Sequence, residues 1–344
     1  MTSTRGRPAN ALVRDGLVGH VDQLASAHQS LAGLDTGQLQ RAIDLQVVGG
    51  ISARLLPDRG MDVSAAWFDG IPLAWVSRRG DVRAATPGTG SWIGQFGGGL
   101  VTTCGLQNVG VASEGHGQHG SFSATPASAV SVERAPTPDD EIELVVTGVV
   151  EEGDALDVHL RCERRLTTRT GEGLLTVTDR VTNVGTAAVP APMLYHVNLG
   201  APLWSPGGYV TAPAGSRTVA RDADSQQWVG VWEHAPRPSR DGVERVFEHV
   251  LDGTGDREGP DTWAQVQVTH EELGLRLTVA WDVRAMPRLH QWVHPRAGVY
   301  VLGIEPANCS VLGRAADRAA GRLPVLQPGE SRTTSLRVGV SRLT

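Results

Sequence analysis

From Gln38 almost to the C-terminus, short apolar runs follow one another with Gly, Pro, Asp and Asn between them. The runs Arg41 to Val48, Ile51 to Leu56, Met61 to Phe68 and Ile71 to Val76 read as short strands set off by turn residues. Asp69-Gly70 between two such runs signals a hairpin, and Pro57-Asp58-Arg59-Gly60 signals a turn. After Ala129 the rhythm continues through Glu141 to Glu151, Ala155 to Leu166, Leu174 to Asn183 and Ala188 to Val197. It resumes at Tyr209 to Ala212, Gln227 to Trp232, Arg245 to Leu251, Trp263 to Thr269, Leu275 to Asp282, Leu289 to Val293, Val299 to Ile304 and Arg332 to Val340. A helical period is rare. Asp22 to Ala32 reads as a short helix with Leu24, Ala27, Leu31 and Ala32 on one side, behind a loosely held arm. This rhythm predicts an all-β chain, a large β-sandwich with few short helices. Residues 1–37 form the arm and helix, and 38–344 a single sandwich domain. The polar connections Ala235 to Gly242 and Asp252 to Asp261 read as loops within it.

Composition excludes several classes of chemistry. All 31 basic side chains are arginine, so lysine Schiff bases, a lysine-bearing phosphate loop and a covalent pyridoxal phosphate site are ruled out. The net charge of −6, with no basic run, argues against a nucleic-acid partner. No apolar stretch is long enough for a transmembrane helix, and the polar first ten residues do not read as a secretory signal. Cys104, Cys162 and Cys309 are odd in number, far apart and without metal spacing. They read as buried thiols in a reducing, cytoplasmic setting. Oligomeric state leaves no signature.

Two strands carry ionisable groups that an apolar interior disfavours. His196 lies in Met193-Leu194-Tyr195-His196-Val197-Asn198-Leu199-Gly200, and Glu305 closes Val299-Tyr300-Val301-Leu302-Gly303-Ile304-Glu305-Pro306. An imidazole and a carboxylate on two strands of one framework form a plausible acid/base pair. Tyr195 points to the face opposite His196. His116 and His119 lie in a glycine-rich loop. With His196 and Glu305 they could make up a ligand count, but the spacing of known metal centres is missing, so no metal is expected. His290 and His294 read as surface or rim residues, and Trp292 as either core or an aromatic face beside a sugar. Gly97-Gly98-Gly99 lacks the following helix of a phosphate cradle and reads as close backbone approach. There is no Gly-x-Ser-x-Gly elbow and no dinucleotide-binding glycine turn.

These positions together resemble the aldose 1-epimerase (galactose mutarotase) family over roughly residues 40–340. More narrowly, they resemble a bacterial branch of it with no assigned function. Tyr195-His196-Val197-Asn198-Leu199 is similar to the strand that carries the family's catalytic histidine. Leu302-Gly303-Ile304-Glu305-Pro306 is similar to the strand ending in its catalytic glutamate, and His119-Gly120 to an upstream His-Gly. Arg59-Gly60-Met61-Asp62, Phe96 to Gly105 and Gln291-Trp292 suggest the branch. The family's Asn-Arg pair and its sugar-binding aspartate have no clear counterpart, and Arg59 and Asn108 stand in as candidates for the pair.

The resemblance implies a galactose mutarotase-like supersandwich that interconverts the α and β anomers of an aldose. Glu305 would act as base and His196, as imidazolium, as acid, the two converging across a polar cleft at sugar-ring distance. His119, Arg59, Asn108, Gln291 and Trp292 would bind substrate. The partner implied is a small-molecule sugar, with no cofactor. Two alternatives keep the scaffold but change its use. One is a non-catalytic sugar sensor, and the other an epimerase or lyase acting on a modified sugar.

Overall fold

The computed structural model describes residues 6–33, 39–81, 91–156, 158–251 and 262–343. The region 252–261 and most of the glycine-rich loop before Trp92 lie outside them. Within the described residues every strand pairing between named strands is antiparallel, as short turns and alternating patterns require. An eight-stranded sheet runs from Gly208–Thr211 through Trp263–His270, Leu275–Asp282, Ser331–Arg342, Glu172–Asn183, His159–Arg169 and Ile142–Gly153 to Ser128–Pro136. A five-stranded sheet holds the strands between Ala25 and Pro72 in chain order. A six-stranded sheet has the order Arg217–Ala220, Arg245–Val250, Arg288–His294, Val301–Ala307, Met193–Leu199 and Thr102–Gly105.

One apolar cluster joins the three sheets, with Leu45 and Leu55 from the five-stranded, Val177 and Trp281 from the eight-stranded and Tyr195 and Ile304 from the six-stranded sheet. The result is a β-sandwich with few short helices. None of the helices is long and apolar enough to cross a membrane among the described residues.

Turn chemistry matches its residues. Asp69 and Gly70 both have positive φ, 50° and 78°, and link Phe68 to Ile71 across a two-residue hairpin. Gly98 and Gly99 sit where an added Cβ would stand 2.6 Å from the carbonyl oxygens of Trp75 and Val63, so these glycines serve close backbone approach.

Three local expectations change. Residues expected as a helix from Asp22 to Ala32 instead form the strand Ala25–Gly33, in register with Leu39–Val47 from Ala25↔Val47 to Gly33↔Leu39. Their weak helical pattern has no cap to fix it, and sheet pairing overrides so small a local preference. The arm before it is held rather than loose. Ala9–Arg14 is helical, the Asn10 N–H donates to the Asp140 carbonyl, and the Arg14 guanidinium grips the Asp140 carboxylate. Gln227 to Trp232 is a run of turns, with the Trp228 ring beneath the Arg245 guanidinium at 3.5 Å.

Behind the six-stranded sheet lies a buried ionic network. Arg164 donates to both Asp179 oxygens at 2.8 and 2.7 Å, to Asp62 at 3.0 Å and to the Thr103 hydroxyl at 2.7 Å. The Tyr195 hydroxyl donates to Asp179 at 2.7 Å. Tyr195 thus anchors its strand from the core side while its neighbour His196 faces the other way.

Candidate active site

Strand register builds the site. Leu194 pairs with Ala307 and Val197 with Ile304, so the antiparallel alignment brings His196 opposite Glu305 on the neighbouring strand. The two side chains touch: His196 Nε2 lies 3.1 Å from Glu305 Oε1, and both residues are almost fully buried. The contact is close but not aligned as a hydrogen bond. Glu305 Oε1 and His196 Nδ1 are both buried polar atoms without a hydrogen-bond partner among the described residues. Orphaned polar atoms of this kind are uncommon in a folded interior.

The pair opens onto a cavity of about 430 Å³. Its walls include Trp92, Phe96, Val246, Trp292 and Val311, so it is an aromatic-walled pocket with a polar floor rather than the polar cleft anticipated. The walls follow from the sheet. Val246, Leu194, Ala307 and Cys104 form a second, smaller apolar cluster on this face, with Trp92 and Trp292 packed against it. The His196 ring lies 5.4 Å from Trp292 and 5.3 Å from Phe96. His119 also lines the cavity, tilted against Trp92 at 4.5 Å with its ring 6.0 Å from His196.

Burial drives both members of the pair toward neutrality. It raises the Glu305 carboxyl to about 8, against a smaller lowering by Arg221. It lowers His196 to about 3, helped by His119. His119 itself falls to about 4, again through burial first and then through His290. With the two groups in contact they titrate as a unit, and in the neutral range that unit holds one proton.

The remaining expected site residues are divided. Trp292 lines the cavity and donates from Nε1 to Glu244 at 3.2 Å. Its neighbour Gln291 is not among the lining residues: its amide oxygen meets the His249 ring at 2.9 Å and its amide nitrogen donates to the Trp232 carbonyl. Strand alternation explains the split. Asn108 is fully buried and does not line the cavity either. Its amide donates to the Val111 and Gly117 carbonyls and its oxygen accepts the Arg314 N–H, which shapes the loop presenting His119. Arg59 lines a neighbouring cavity and donates to the Gln95 carbonyl at 2.9 Å. His116 lines that same neighbouring cavity. His290, expected at the rim, is buried opposite Glu305 on the Arg288–His294 strand, with Nε2 3.2 Å from the Cys309 carbonyl.

Sequence reasoning missed Arg221, Asp222 and Glu244 at the cavity wall. Arg221 donates to Asp222 at 2.7 Å and to Glu244 at 3.0 Å. They lie just outside strands, where charge carries no periodic signal. No group of three or more His, Cys, Asp or Glu side chains is arranged to hold a metal among the described residues.

This architecture is that of the galactose mutarotase-like β-sandwiches. A structure from Klebsiella pneumoniae described as a "putative aldose 1-epimerase" superposes with a TM-score of 0.83 at 23% identity, covering 92% of this chain and 83% of that one. A galactose mutarotase-like protein from Clostridium acetobutylicum gives 0.63 at 13% identity, covering 93% of this chain and all of its own. The galactose 1-epimerase of Lactobacillus acidophilus gives 0.58 at 14%, with coverage of 93% and 100%. No curated protein sequence matches the chain. Residues 37–340 match the family described as a domain of unknown function, DUF4432, and the chain belongs to that family.

Proposed function

We propose that this chain is an aldose 1-epimerase-like isomerase that interconverts the α and β anomers of a free sugar by acid/base ring opening at His196 and Glu305. The observation that carries the reading is the contact of these two side chains at 3.1 Å on the floor of an aromatic-walled cavity. Ring opening takes a proton from the C1 hydroxyl, breaks the bond between C1 and the ring oxygen, and delivers a proton to that oxygen. The chemistry therefore needs one acid and one base, with one proton between them.

The two oxygens concerned are both attached to C1. An acid and a base that touch each other match them from one side, so the sugar faces the pair instead of separating it, as sugar-ring spacing would have required. Burial favours the arrangement with the proton on Glu305 and a neutral His196. In that arrangement the carboxyl protonates the ring oxygen and the imidazole accepts the hydroxyl proton. This reverses the roles that family resemblance assigns. After rotation about the C1–C2 bond the exchange runs backward, closing the ring as the other anomer and restoring the original protonation. Trp292 and His119 would flank the sugar ring.

The test is saturation-transfer NMR on a panel of free aldoses. Anomer exchange well above the buffer rate supports the reading. Sugar binding with exchange at the buffer rate leaves a sensor on the same scaffold.

A further inference from the structure

His196 and Asn198 stand two residues apart on the Met193–Leu199 strand, so their side chains leave the same face. Asn198 pairs with Gly303 across the sheet and is completely buried. Its main chain is pinned on both sides: the N–H donates to the Leu100 carbonyl at 3.2 Å, and the carbonyl accepts the Trp75 N–H at 3.0 Å. Its side-chain nitrogen donates to the carbonyls of Gly99 and His196, each at 2.9 Å. Carbonyls only accept, so the amide end that faces them is the NH2 and the opposite end is the oxygen. Gly99, whose close approach to the Val63 carbonyl leaves no room for a side chain, supplies one of these two anchors. The orientation of the Asn198 amide is therefore fixed by the backbone around it.

Two buried atoms on this face lack an aligned partner among the described residues: Asn198 Oδ1, which can only accept, and His196 Nδ1. Burial first, and then His119, lower the affinity of the His196 ring for a proton, and Asn198 raises it as a hydrogen-bonding neighbour of the side chain. An acceptor beside one ring nitrogen holds the proton there and leaves the other nitrogen with a lone pair. That other nitrogen is Nε2, 3.1 Å from Glu305 Oε1. The opposite tautomer would leave the Asn198 oxygen buried against a second lone pair and would turn an N–H, not a base, toward Glu305.

We infer that Asn198 is a positioning residue whose Oδ1 holds neutral His196 as the Nδ1–H tautomer, so that Nε2 presents its lone pair to Glu305 and to the substrate hydroxyl. The catalytic consequence rests on the proposed isomerase reading, whereas the tautomer is read without any substrate. The full chain, labelled with nitrogen-15 in its histidines, would be studied near neutral pH by long-range proton–nitrogen correlation NMR, with His196→Gln identifying the His196 signals. The expected wild-type ring has a protonated Nδ1 and an unprotonated Nε2. In Asn198→Leu that preference should be lost, with Nε2–H appearing. An Nε2–H or cationic ring in the wild type overturns the inference before any variant is made. A folded Asn198→Leu with an unchanged tautomer also overturns it, and Asn198→Ser serves in its place if the leucine variant does not fold. In anomer exchange, the Asn198 variant should lower kcat by about 10²-fold with KM little changed, as for a misplaced reacting group. A loss confined to KM overturns the positioning role. A wild type with the Nδ1–H tautomer but no exchange supports the tautomer assignment and overturns the isomerase reading instead.

Discussion

Gly303 leaves the space that the Glu305 carboxylate fills. A Cβ added to Gly303 would stand 2.6 Å from Glu305 Oε1, 3.0 Å from His196 Cε1 and 3.2 Å from the Trp292 Cβ. The backbone there is ordinary strand, so the glycine answers to space and not to conformation. Gly303→Ala should displace the pair within a folded protein. Overpacking of this sort costs about 1–3 kcal/mol, while an ångström-scale misplacement of reacting groups can cost ~10²-fold in rate. Melting curves alongside exchange rates check this: a modest fall in Tm with a large fall in rate is expected.

The ionic network behind the histidine strand should dominate local stability. Arg164 hydrogen-bonds both buried carboxylates, Asp179 and Asp62. Arg164→Met would strand both charges, a loss of about 3–5 kcal/mol. Tyr195→Phe removes a hydroxyl bonded to a carboxylate and should cost less, about 1.5–3 kcal/mol. Urea denaturation of the two variants gives the ordering.

Stability should fall as pH rises from about 6.5 to 8. Glu305 and Glu152 have folded values raised by burial to about 8 and about 7, so each contributes stability that is present below its unfolded value and lost as pH climbs through the folded one. The buried histidines His196, His119 and His249 have lowered values, and their contribution is complete above about 6.5 and lost only on acidification. In this window the carboxyls therefore decide the slope. Glu305→Gln and Glu152→Gln should each flatten the decline in Tm, measured by calorimetry across that range.

The same proton count would govern the proposed activity. Above the Glu305 value the pair loses its one proton, and no acid remains to serve the ring oxygen. Enzymatic exchange, corrected for the buffer reaction, should decline above about pH 8. A rate still rising at pH 9 would show that the carboxyl is not the proton source.

Much of the fold is legible because strands announce themselves by period two. Ionisable residues inside apolar strands, His196 and Glu305, stand out against that background. What one sequence does not display is register between strands far apart in the chain. Only the pairing of Leu194 with Ala307 turns two separate oddities into a contact. Gln291 and Trp292 show the converse: a motif that reads as a unit is split by alternation, one residue to the cavity and the other to the network with His249. His290 reads as a rim residue because the sequence gives it no role, yet pairing with Glu305 on one side and Glu248 on the other buries it. The first strand mimics a helix in sequence because Leu24, Ala27 and Leu31 satisfy both periods poorly. Its pairing with Leu39–Val47 is a tertiary fact.

The most direct measurement is anomer exchange by saturation-transfer NMR on the wild-type chain, His196→Ala and Glu305→Gln, each confirmed as folded by its melting curve. Exchange by the wild type, reduced by about 10²–10⁴-fold in each variant, is the predicted result. Exchange that survives unchanged in Glu305→Gln would contradict the assignment of this pair as the proton-transfer centre.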